Sequence, residues 1–174
     1  MKYFSISLIV SLLAACSSIE GQRYINDPID FDLYEFFDGS VEAWGIVQDR
    51  SGNLIQRFKV DIAGSVLNGE LILDETFSYS LGEGVNKRIW NISNLGTEFR
   101  GGAGDIVGTA TGVDYGNAFN WSYEMDLPVG NTEYRVKFED WIWAFNDELI
   151  VNRSYIKKLG VVFAEVTIFM RKIE

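Results

Sequence analysis

Three ionisable side chains stand where the neighbouring pattern is apolar. Glu75 falls among Leu71, Leu73, Phe77 and Tyr79; Arg88 shares a face with Trp90; Asp140 interrupts Tyr134, Val136, Phe138 and Ile142. A carboxylate buried without a partner is neutralised or destabilises the fold. Glu75 and Arg88 become cross-strand neighbours if the chain reverses near Leu81 and Gly82, so they are expected to pair. The pair is either an interior ion bridge or a receiver for a ligand head group. The chain has no histidine, and Cys16 is its single cysteine. Imidazole acid/base chemistry, the usual zinc and haem sites and Ser-His or Cys-His nucleophiles are thereby removed or disfavoured. The expectation is a protein that is not an enzyme and has no cofactor, with a carboxylate-only isomerase or hydrolase as the remaining catalytic class. No two carboxylates have a spacing that singles out a glycosidase pair. Gly101-Gly102-Ala103-Gly104 lacks a Gly-Lys-Ser/Thr and a following helix, so it reads as strand and turn.

The elements that must position these groups are strands. Aromatics make up 14% of the chain, with 17 glycines and only 2 prolines, a composition of many strands joined by tight turns. Strand signals run over 42–49, 54–62, 69–79, 85–92, 98–103, 105–113, 119–127, 132–145, 149–157 and 161–171, alternating most clearly in 54–62 and 119–127, glycine-rich over 98–103 and 105–113, and apolar on both faces over much of 161–171. Before them, Asp30 or Asp32 is placed to cap one helical turn through Leu33-Tyr34-Glu35-Phe36-Phe37, which Asp38-Gly39 ends. Eight to ten strands in sequential hairpins, with no crossover helix, point to an all-β antiparallel up-and-down barrel. A two-sheet β-sandwich is the alternative. Gly108, Ala110 and Gly112 form a small-residue face that leaves room inside a barrel or lets another strand approach. Trp141 and Trp143 emerge on the face opposite Asp140. They are either an outward lipid or partner contact, or the mark of a bulge that returns them to the core; the bulge is the preferred reading.

The amino terminus supplies an address. Lys2, the apolar run 6–13 and small residues before Cys16 form a secretory signal peptide too short to span a bilayer. Leu13-Ala14-Ala15-Cys16 resembles the bacterial lipobox, which implies acylation at Cys16, removal of residues 1–15 and a membrane anchor. Ser17 in place of an aspartate favours the outer membrane, facing the periplasm, over the inner one. Residues 16–30 lack a period and read as a tether, and 31–174 as a single barrel domain. A formal net charge of −10 argues against nucleic acid and against electrostatic adhesion to anionic lipid, so the anchor must supply the membrane contact.

Several segments resemble the bacterial lipoprotein family of unknown function catalogued as DUF3833. They are Phe36-Phe37-Asp38-Gly39, Glu42-Ala43-Trp44-Gly45, Arg57-Phe58-Lys59-Val60, Leu73-Asp74-Glu75-Thr76-Phe77, Gly116-Asn117-Ala118, Glu139-Asp140-Trp141, Asn152-Arg153 and Lys158-Leu159-Gly160. The resemblance implies little biochemistry beyond a hint of acyl-chain metabolism. A looser resemblance is to lipocalins, in which an early tryptophan packs on a late arginine, here Trp44 and Arg171. The alternative places Trp44 in the core and Arg171 on the surface.

The expected function is a lipid-anchored barrel that binds or shields an apolar ligand, an acyl chain or isoprenoid. Its lining is expected from Phe58, Val60, Leu71, Leu73, Phe77, Trp90, Phe119, Trp121, Tyr123 and Phe138, with Glu75, Arg88 and Asp140 as polar anchors. The competing expectation is a structural or assembly lipoprotein that contacts an envelope protein through Trp141 and Trp143.

Overall fold

The computed structural model describes residues 19–129 and 132–173. Cys16, the lipobox and the signal peptide lie outside the described residues. A 3-10 turn, Gly21–Tyr24, precedes a short helix α1, Leu33–Phe37. Ten strands follow: β1 Gly39–Asp49, β2 Leu54–Leu67, β3 Glu70–Leu81, β4 Lys87–Asn94, β5 Phe99–Gly102, β6 Ile106–Tyr115, β7 Ala118–Val129, β8 Thr132–Asn146, β9 Leu149–Lys158 and β10 Val161–Ile173. Each pairs antiparallel with its sequence neighbour, and β1 closes on β10, so the sheet is a ten-stranded up-and-down barrel rather than a sandwich. Closure removes every sheet edge.

Alternation along the strands decides which side chains face in. Val41, Ala43 and Val47 of β1, Phe58, Val60 and Ile62 of β2, and Val136, Phe138, Ile142 and Ala144 of β8 are all buried, and the alternate residues of opposite parity face out. The interior is strongly aromatic because glycines make room for large rings. A Cβ on Gly45 would lie 2.2 Å from the Phe58 ring, and one on Gly112 would lie 2.5 Å from Trp121. Gly112 therefore accommodates aromatic rings rather than leaving space open.

One end of the barrel is plugged. Asp32 is the residue that caps α1, its carboxylate accepting from the Tyr34 and Glu35 N–H groups at 2.8 and 2.9 Å. Leu33, Phe36 and Phe37 turn inward and are buried. The Tyr34 hydroxyl lies 2.8 Å from the Ile92 carbonyl oxygen and 3.2 Å from that of Gly69, tying α1 to the rims of β3 and β4. β2 runs five residues past the expected end at 62 because Gly64 lets α1 settle against it. A Cβ there would lie 1.6 Å from the Phe37 carbonyl oxygen.

Two expectations about the outer surface are corrected. β7 and β8 stay in register from Ala118↔Trp143 to Val129↔Thr132, so no bulge turns Trp141 or Trp143 into the core. Both point outward, yet Trp141 is buried and Trp143 half-buried. Tyr115 stacks on Trp141 at 5.8 Å, Trp143 stacks on Trp141 at 6.2 Å, and Tyr24 meets Trp143 edge-on at 6.1 Å. Gly21 sits on the Tyr115 ring, where any side chain would collide. The part of the expected tether that is described is thus docked on the barrel wall, and it covers these tryptophans. Trp44, conversely, is an exposed outer residue with the Arg171 guanidinium 5.6 Å from its ring centre. The expected pair forms, but outside the core.

Candidate functional site

The unplugged interior holds a cavity of about 990 Å³. Its deep wall includes Leu33 and Phe37 of α1; its mouth is ringed by Ile55, Gln56, Glu83, Gly84, Val85, Pro128 and Phe163, at the end opposite α1. The volume is at the upper end of the range for small-molecule sites, and the lining is mainly apolar with a few convergent polar groups.

Phe58, Val60, Leu73, Phe77, Trp90, Phe119, Trp121, Tyr123 and Phe138 line this space, as do Glu75, Arg88 and Asp140. Leu71 does not; it is packed away completely in the wall. The rings form a connected array across the lumen. Tyr123 stacks on Phe138 at 5.0 Å and meets Trp90 edge-on at 5.3 Å, while Trp90 meets Trp121 at 5.7 Å. Arg88 extends this array, its guanidinium 5.7 Å from the Phe77 ring centre and 5.9 Å from that of Trp90.

Glu75 and Arg88 are cross-strand neighbours in the register of β3 and β4, as expected. The ion bridge, however, goes elsewhere. Arg88 Nε donates to Asp105 Oδ1 and Oδ2 at 3.0 Å, and Nη2 donates to Oδ2 at 2.7 Å. Both side chains are largely buried. Asp105 stands in the turn before β6, and the shortness of β5, which pairs with β4 only over Asn91–Asn94, brings it beside Arg88. Sequence reading placed it at a strand start and assigned it no role; its spacing from Arg88 offered no signal.

Glu75 is left as a carboxyl beside an engaged arginine. Burial pushes it up to about 7, against the attraction of Arg88. On the opposite wall Asp140 is also pushed up to about 7 by burial, against the pull of Ser154, Arg88 and Asn152. Asn152 and Ser154 of β9, the latter donating to Asn152 Oδ1 at 3.1 Å, are further polar lining residues that sequence reading missed. Their place on one face of β9 with Ile150 and Ile156 was the available signal. Asp140 is only 7% exposed, and its Oδ1 has no hydrogen-bond partner among the described residues. Tyr123 is within electrostatic reach of both carboxyls, its phenol held well above its ordinary value by burial. The arrangement can solvate a polar head inside an otherwise apolar tube.

Together the plugged end, the open mouth and the aromatic lumen define a hollow, lipocalin-like ten-stranded barrel. The chain matches the family described as "Protein of unknown function (DUF3833)" over residues 10–172, and it belongs to that family. No curated protein matches it. Among solved structures it is similar to an S-type phycobiliprotein lyase, CPES, from Guillardia theta, with a TM-score of 0.57 and 11% identity over 81% of this chain and 91% of that one. At that identity the likeness carries the fold alone.

Proposed function

We propose that this protein is a membrane-anchored carrier or shield for one amphiphile, whose apolar chain occupies the barrel. The observation that carries this reading is the 990 Å³ aromatic cavity with ionisable groups on its wall. An apolar lumen of that size, closed by α1 at one end only, is a container with one mouth. An acyl chain or isoprenoid fits its chemistry, each buried CH2 contributing about 0.8 kcal/mol. Binding is placed ahead of catalysis because the cavity is lined mainly by apolar and aromatic side chains, with a small number of polar groups among them. Protein recovered from its native membrane is expected to carry one such molecule per chain.

The address completes the proposal. Acylation at Cys16 would hold the barrel on a membrane, with Ser17 favouring the outer one, facing the periplasm. Gly21–Tyr24 docks at the plugged end of the barrel, near the turn between β6 and β7. An anchor just ahead of it therefore supports a mouth directed away from the bilayer. In the native host, wild type is expected in the membrane fraction and Cys16→Ser in the soluble or uncleaved pool. Equal membrane partition of both with normal processing would contradict acylation.

A second reading, an assembly lipoprotein that contacts an envelope partner, no longer has Trp141 and Trp143 to offer. It has instead Trp44, Phe145 and Phe169, all exposed, with Phe145 stacked on Phe169 at 6.3 Å.

A further inference from the structure

Resting on the carrier reading, we propose that the ligand's head is a hydrogen-bond donor, an amine or hydroxyl, received by Asp140 and Glu75 rather than by Arg88. An arginine in an apolar barrel invites a fatty acid, with the guanidinium meeting the carboxylate. The geometry opposes that arrangement. Two of the three Arg88 nitrogens are already directed at Asp105, and the guanidinium is held against the rings of Phe77 and Trp90. An arriving carboxylate or phosphate would have to displace Asp105 and then lie beside Glu75 as well. Like charges in a poorly solvated site repel strongly.

The wall is instead rich in acceptors. Glu75, Asp105 and Asp140 face the lumen with Arg88 as the one cation among the cavity-lining residues. Asp105 is satisfied by Arg88, which leaves two carboxyls in excess. Asp140 Oδ1 is buried, lines the cavity and has no partner among the described residues. A buried acceptor without a donor costs free energy that a bound donor recovers. An ammonium head contributes a charge-assisted hydrogen bond and also offsets the charge excess. A hydroxyl provides the bond alone. Burial raises both carboxyls to about 7, so each is held partly neutral near physiological pH and gains most from a head that favours its ionised form.

The test is displacement of the neutral fluorophore N-phenyl-1-naphthylamine from the folded protein by dodecylamine, dodecanol and dodecanoic acid, at physiological salt. The amine is expected to displace the probe at about tenfold lower concentration than the acid, with the alcohol between them. In Asp140→Asn the advantage of the amine over the alcohol, each measured against that variant's own affinity for the probe, shrinks; Glu75→Gln acts in the same direction. These variants separate a site in the lumen from the general attraction of a cation to an acidic surface. An acid that displaces the probe as well as the amine does, or an amine advantage unchanged in both variants, overturns the head-group assignment and leaves the carrier reading standing. Failure of the wild type to bind the probe at all overturns both.

Discussion

Replacing Asp105 with alanine is expected to be the most damaging single change near the cavity, costing about 3–5 kcal/mol of stability by urea denaturation. The cause is the partner left behind. Arg88 is 15% exposed along its side chain and sandwiched by Phe77 and Trp90, so its charge cannot turn to bulk water when Asp105 is gone. Glu75 is the neighbouring replacement, and its partial rescue sets the effect nearer the lower figure. The remedy follows from the same physics: Arg88→Leu combined with Asp105→Leu removes both charges and is expected to recover most of the loss. A loss below about 1 kcal/mol in Asp105→Ala would place the pair among solvated surface bridges and contradict the buried arrangement.

Asp140→Asn is expected to do the opposite and stabilise the protein at pH 8. The folded carboxyl sits at about 7 against an ordinary 3.8, so between those values the folded state holds a proton that the unfolded chain has released. Stability therefore falls as pH rises from about 4 through about 7, and it levels off above. A gap of about three units corresponds to about 4 kcal/mol at most, and coupling to Glu75, itself at about 7, spreads the transition. Asparagine carries no such dependence. The variant is expected to gain about 2 kcal/mol on wild type between pH 5 and pH 8, read from paired thermal or urea melts. A difference that does not change with pH would contradict the burial of Asp140. Carboxyls held this far from their ordinary values cluster at functional cavities.

The strand pattern was legible because period-two alternation is a local property. Phe119, Trp121, Tyr123, Met125 and Leu127 announce β7 without reference to any partner, and Asp30 or Asp32 before the apolar run Leu33–Phe37 announces α1, with Asp32 the one that caps it. The sequential hairpins then leave closure of β1 on β10 as the natural end. Cavity-lining residues followed from the same alternation, and so did the position of Glu75 opposite Arg88. What stayed hidden was non-local. Asp105 reaches Arg88 past the one short strand β5, at a sequence separation of 17. The docking of Gly21–Tyr24 on Tyr115, Trp141 and Trp143 depends on the chain folding back, which a stretch without period does not signal. Of the two readings of Trp44, packing on Arg171 or burial in the core, the first holds, because strand parity, set by Val41 and Ala43 facing in, turns Trp44 out.

The central claim is that the lumen is occupied by one amphiphile in the cell. Native mass spectrometry of protein extracted under mild conditions from its own membrane reads this directly. The account predicts one non-covalent adduct per chain, with a mass that resolves into an apolar chain and an amine- or hydroxyl-bearing head. A bare polypeptide carrying only its covalent modifications, from protein that also fails to bind N-phenyl-1-naphthylamine, would contradict it.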